Sequence, residues 1–122
     1  MIVDDETDLL AIVRKMLEGQ GYSVHPFASP ETALDHVKDD GCTDCSIVIS
    51  DIRMPHMTGF ELVRHIKKLR PEIKVILMTA FEISRQEAQR KLPSTPVDAF
   101  INKPFKTLEL VTAIKRLEST TK

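Results

Sequence analysis

The sequence of 122 residues is short of several things, and each shortage removes a class of function. Charge of one sign is balanced by the other: 17 Lys and Arg against 18 Asp and Glu give a formal net charge of −1. No basic surplus is available to neutralise a nucleic-acid backbone, so direct DNA or RNA binding by this chain is not expected. No apolar run approaches the roughly 18 to 20 residues that cross a bilayer, and Met1-Ile-Val-Asp-Asp-Glu is acidic where an export signal is basic. Neither membrane anchoring nor export is expected. Two cysteines with no secretory context point to a reducing compartment and a cytoplasmic location. There is no internal repeat, low-complexity tract or long Gly/Ser linker, so residues 1–122 are read as one domain.

What is present is an alternation of short apolar runs with helical periodicity. Residues 1–3 are apolar, and Leu9, Leu10, Val13, Met16 and Leu17 then recur at helical spacing until Gly19 and Gly21. Residues 22–27 are strand-like, and Ser29-Pro30 supplies an N-cap and a first-turn proline for a helix through Val37. Residues 46–50 form a buried-strand pattern. A loop at 55–59 follows, then a helix whose Leu62, Val63, Ile66 and Leu69 share a face before Pro71. Residues 73–78 predict a fourth strand, 82–92 a polar fourth helix, and 97–101 a fifth strand. Leu110, Ala113, Ile114 and Leu117 mark a fifth helix. Near-continuous apolar strands separated by helices predict an α/β fold with a parallel sheet covered on both faces. The expected form is a flavodoxin-like, doubly wound, five-stranded sheet of order 2-1-3-4-5 with five helices and its switch point between strands one and three.

The apolar runs end in residues with chemical capability. Strand one ends in Asp4-Asp5, strand three in Asp51, strand four in Thr79, and strand five in Asn102-Lys103. In a parallel sheet these ends lie on one edge and converge on one shallow pocket. Three carboxylates there repel one another unless a cation is present. A hard divalent ion such as Mg²⁺ suits oxygen ligands, whereas no His or Cys stands at these ends to favour zinc. With Mg²⁺ and the Lys103 ammonium offsetting charge, Asp51 can act as a nucleophile toward a phosphoryl donor, with Thr79 hydrogen-bonding a phosphoryl oxygen. Each residue also has a plain reading. The acids at 4–6 could cap a helix, Asp51 could open a turn, Thr79 could be an ordinary strand residue, and Lys103 a solvated charge. A cap or a turn has no need of three acids, a hydroxyl and a lysine on one edge, and the coincidence favours function.

These residues resemble the receiver domains of two-component response regulators over essentially the whole chain. The motifs that carry the resemblance are Val3-Asp4-Asp5-Glu6, Ser50-Asp51-Ile52-Arg53-Met54-Pro55 with Gly59, Met78-Thr79-Ala80 and Lys103-Pro104-Phe105. The resemblance implies a phosphoacceptor signalling domain rather than an enzyme with turnover, phosphorylated on Asp51 by a sensor histidine kinase or a phosphotransfer protein. It implies Mg²⁺ held by Asp5 and Asp51 directly, by Asp4 largely through water, and by the backbone carbonyl of Arg53. It also implies a phosphoryl-binding and switch set of Thr79, Ala80, Lys103 and Phe100. Movement of Phe100 reshapes the face of the fourth helix, fifth strand and fifth helix, which controls a partner, a homodimer or a linked effector.

The sequence departs from the family pattern in its short first strand and in Lys91-Leu-Pro-Ser-Thr-Pro-Val, a proline-interrupted link before strand five. Arg53 and Phe81, each two positions beyond a site residue, flank the expected phosphoryl entrance and can restrict attacking water. A pseudo-receiver that only docks is disfavoured because all five site positions are filled. A phosphatase on a related fold is disfavoured because its second acid, two residues after the nucleophile, is replaced by Arg53. Cys42-Thr-Asp-Cys45 has the C-x-x-C spacing but stands alone. His25 and His36 are the nearest further ligands, and nothing in their spacing joins them to the thiols. His56 and His65 read as solvated imidazoles, and Lys67-Lys68 and Lys115-Arg116 as polar helix faces.

Overall fold

The computed structural model describes residues 1–38, 46–52, 54, 57–79, 97–103 and 105–119. In chain order the elements are β1 (Ile2–Val3), α1 (Thr7–Glu18), β2 (Pro26–Phe27), α2 (Pro30–Lys38), β3 (Ile47–Asp51), α3 (Gly59–Leu69), β4 (Lys74–Thr79), β5 (Ala99–Asn102) and α4 (Thr107–Ser119). The expected helix over 82–92 lies outside the described residues, and the four helices named are those among the described ones.

Helices α2 and α3 begin where side chains satisfy their open N–H groups. Ser29 Oγ accepts from Thr32 N at 3.2 Å ahead of Pro30, and Thr58 Oγ1 accepts from Glu61 N at 3.2 Å ahead of Gly59. Helix α1 ends at Gly19, and the chain turns back through Gly21 at φ 90°, a left-handed conformation that glycine adopts without strain.

All strands pair in parallel, in the order β2-β1-β3-β4-β5. The switch point therefore falls between β1 and β3, as the alternation predicts. Because successive strand residues point to opposite faces, each strand feeds two cores. Val3, Val48, Val75 and Leu77 meet Ala33, Leu34 and Val37 of α2 and Leu62, Val63 and Ile66 of α3. Ile2, Ile49, Ile76, Met78 and Ile101 meet Leu10, Val13 and Leu17 of α1 and Leu110, Val111, Ile114 and Leu117 of α4.

One expected strand is much shorter than its pattern. Residues 22–27 alternate like a strand, yet only Pro26 and Phe27 pair, opposite Ile2 and Val3. Tyr22 and Val24 instead pack against the core under α1 and α4.

Candidate functional site

The register of the sheet builds the site. Val3 is level with Ser50, so Asp4 follows β1 beside Asp51 at the end of β3. Asp51 is level with Met78, Thr79 lies one residue further along β4 opposite Asn102, and Lys103 follows β5. Four strand ends thus present their polar residues along one edge, at the switch point that parallel sheets use for ligands.

Asp4, Asp5 and Asp51 each offer a carboxylate oxygen, and these oxygens lie within 4.8 Å of one another. Asp4 and Asp51 are buried and Asp5 is exposed, so the cluster opens to solvent on the Asp5 side. Lys103 Nζ is 3.3 Å from Asp4 Oδ2 and 3.4 Å from Asp51 Oδ2. One ammonium therefore bridges the two buried acids. The second oxygen of each is held by the backbone: Glu6 N donates to Asp4 Oδ1 at 2.9 Å, and Ile52 N to Asp51 Oδ1 at 2.9 Å. These bonds fix both carboxylates with one oxygen still facing the pocket.

Burial pushes the Asp4 carboxyl above its ordinary value. The Glu6 N–H and the Lys103 ammonium pull against that shift, and the Asp51 charge adds to it. A pocket in which three acids share one lysine has negative charge in excess. Three oxygen donors at this spacing fit a hard cation such as Mg²⁺, which prefers carboxylates and retained water. Asp4, Asp5 and Asp51 are the residues that would hold it.

Of the residues singled out in the sequence, Asp4, Asp5, Asp51 and Lys103 are brought together. The backbone of Thr79 is at the matching end of β4. Phe100 in β5 is half-buried against the core under α2 and α3. Arg53, Ala80, Phe81 and Pro104 lie outside the described residues, as do Cys42, Cys45 and His56. Two features were not read in advance. Glu6 and Ile52 contribute through their backbones, which no residue type signals. Lys67 is not on a solvated face like its exposed neighbour Lys68: it is 10% exposed and paired with Asp98 at 3.0 Å.

Comparison with known proteins agrees with this fold. Residues 1–115 match the model of the response regulator receiver domain. The chain is 38% identical over 117 residues to the C4-dicarboxylate transport transcriptional regulatory protein DctD of Rhizobium meliloti, covering 96% of this chain and 24% of that protein. It is 32% identical over 117 residues to the sensor kinase CckA of Brucella abortus, covering 96% of this chain and 12% of that protein. The chain thus spans a quarter or less of the length of these two relatives. Its backbone resembles that of a CheY-like response regulator receiver domain protein from Methanospirillum hungatei, with a TM-score of 0.83 and 32% identity over 97% of this chain and 91% of that one. Likeness in sequence and in backbone runs nearly end to end and includes the edge where the acids meet, and the chain belongs to the response regulator receiver domain family.

Proposed function

We propose that this domain is a phosphoacceptor: Asp51 takes a phosphoryl group from a phosphohistidine donor, and the added charge is sensed at the ends of β4 and β5. The observation that carries this reading is the bridging ammonium of Lys103, within 3.4 Å of both Asp4 and Asp51 in a cluster of three acids. An isolated structural carboxylate needs no such surroundings.

In the transfer, an Asp51 carboxylate oxygen attacks phosphorus and forms a P–O bond. The P–N bond to the donor imidazole breaks, and that nitrogen keeps the electron pair and takes a proton. Ile52 N–H orients the Asp51 carboxylate, and Lys103 is close enough to pair with the incoming phosphoryl oxygens. Mg²⁺ held by Asp4, Asp5 and Asp51 would supply charge compensation and orientation for those oxygens. Asp51 gains a dianionic group in place of one carboxylate charge, and the Lys103 pairing shifts toward it. Thr79 is the hydroxyl at the matching position of β4, and Phe100 lies on the adjacent strand. The face that includes β5 and α4 is the surface such a switch controls, toward a partner, a second copy or a linked effector; the expected helix over 82–92 lies outside the described residues. Turnover of an external substrate is not part of the reading, since Arg53 occupies the place of a second acid.

Treatment with acetyl phosphate, with and without Mg²⁺, followed by intact mass measurement, tests it. The expected result is one Mg²⁺-dependent phosphoryl adduct that is absent in Asp51→Asn. No adduct favours a docking module that works without phosphorylation. Continuous release of phosphate from an added ester favours a phosphatase.

A further inference from the structure

Val3, Ser50 and Leu77 stand level across β1, β3 and β4, and Val3 and Leu77 belong to the core under α2 and α3. Ser50 is fully buried between these two aliphatic residues. Packing alone would be met at that position by an apolar side chain of similar size. A hydroxyl taken out of water costs free energy unless it is hydrogen-bonded, so its bond has to be accounted for. Ser50 Oγ donates to the carbonyl oxygen of Asp51 at 2.8 Å. The hydroxyl thus reaches the backbone of the proposed phosphoacceptor from within the core.

That carbonyl and the Ile52 N–H belong to one peptide unit, which is planar and turns as a single plate. Its N–H donates to Asp51 Oδ1 at 2.9 Å, while Asp51 Oδ2 is 3.4 Å from Lys103 Nζ. Helix α3 crowds the same plate, since a Cβ at Gly59 would overlap the Asp51 carbonyl. A rotation of the plate that lengthens the Ser50 bond also swings the Ile52 hydrogen away from Oδ1. Donation to a carbonyl further polarises its amide and strengthens the N–H as a donor. We propose that Ser50 is a positioning residue for phosphoryl transfer: it holds the 51–52 peptide in the orientation from which Ile52 N–H fixes the Asp51 carboxylate, with Oδ2 turned toward Lys103. Ser50 acts through that peptide and not on the phosphoryl group. The role rests on the phosphoacceptor reading of Asp51 and adds to it a hydroxyl that lies outside the acidic pocket.

The test compares Ser50→Ala, Ser50→Cys and Ser50→Thr in the whole chain. Cysteine keeps roughly the size of serine but donates weakly, whereas threonine keeps the hydroxyl and adds a methyl group to a closed core. The rate of labelling by acetyl phosphate at saturating Mg²⁺ is expected to fall roughly 10- to 100-fold in Ser50→Ala and Ser50→Cys, and to be largely restored in Ser50→Thr. Urea midpoints are expected to be lowered in Ser50→Thr, so the rates follow the hydroxyl and not the stability. A second readout needs neither phosphorylation nor a folded threonine variant: the Ile52 amide proton resonance of the Mg²⁺-free protein is expected to move upfield in Ser50→Ala, as its bond to Oδ1 weakens. An unmoved Ile52 resonance overturns the proposal, and so do rates that rank with the urea midpoints. If the unaltered chain is labelled and Ser50→Ala is labelled as fast, the positioning role alone falls. If the unaltered chain takes no phosphoryl group, the phosphoacceptor reading falls and the role of Ser50 in transfer falls with it.

Discussion

The carbonyl of Asp51 lies against the α-carbon of Gly59. A Cβ at position 59 would overlap that oxygen and come within 2.9 Å of Ile52 Cα, while Gly59 N donates to Ile52 O at 2.7 Å. The first turn of α3 is thereby fastened beneath the backbone that carries the proposed phosphoacceptor. In Gly59→Ala the overlap costs about 1–3 kcal/mol, of which better helix propensity returns at most about 1 kcal/mol. The variant is expected to unfold at lower urea concentration. It is also expected to accept a phosphoryl group more slowly, because the backbone that must yield holds Asp51. Unchanged urea midpoint and labelling rate would show that the close approach constrains neither.

Asp4 gives the metal-free protein a stability contribution that falls as pH rises past the carboxylate range. Its carboxyl is raised in the folded state, chiefly by burial, so the folded chain holds that proton to higher pH than the unfolded chain does. Between the ordinary carboxylate value and the raised one the native state binds more protons, and stability falls as pH rises through that window, by up to about 1.4 kcal/mol per unit. Above the window the cost stays in full. Asp4→Asn keeps an oxygen for Glu6 N and removes the buried charge. It is expected to be more stable than the unaltered chain at pH 7 without Mg²⁺, and no more stable below the ordinary carboxylate range. Millimolar Mg²⁺ should stabilise the unaltered chain more than Asp4→Asn. Chemical denaturation at several pH values, with and without Mg²⁺, measures both differences.

Lys103 and the acids have separable roles. Lys103→Met removes a positive charge 3.3–3.4 Å from Asp4 and Asp51. A cation entering the cluster then meets less repulsion, so Mg²⁺ affinity is expected to stay level or increase. Transfer to Asp51 loses a donor aimed at the phosphoryl oxygens, and the rate is expected to fall by about 100-fold. Mg²⁺ titration beside a time course of acetyl phosphate labelling checks the opposition. If both fall together, Lys103 is holding the cluster's shape rather than pairing with the phosphoryl group.

The parallel α/β order was legible because Ile2 and Val3, Val48 and Ile49, and the run from Val75 to Met78 are apolar on both faces, as strands between two helical layers must be. The acidic cluster followed, since residues at the ends of such strands share an edge whatever their distance in sequence. Pairing length was not legible. Nothing in residues 22–25 says that β1 offers only Ile2 and Val3 as partners, because strand extent belongs to the ladder and not to one segment. Lys67 was missed for a related reason. Its position beside Lys68 suggests a solvated face, and the acid that draws it inward, Asp98, is 31 residues away.

That pair carries the last prediction. Lys67 Nζ donates to Ile73 O at 2.6 Å and to Asp98 Oδ2 at 3.0 Å, while Val75 N donates to the same Asp98 oxygen at 2.7 Å. One carboxylate thus ties the end of α3 and the start of β4 to the approach to β5. Asp98→Ala leaves a mostly buried ammonium without its counter-ion and an amide without its acceptor, at an expected cost of about 2–4 kcal/mol. Lys67→Met leaves Asp98 still bonded to Val75 N and is expected to cost less. The double variant should then be more stable than the sum of the two single losses allows, because the stranded ammonium is gone. Urea unfolding of the four proteins in the cycle measures this. Strict additivity would mean that Lys67 and Asp98 act on the fold independently despite their contact.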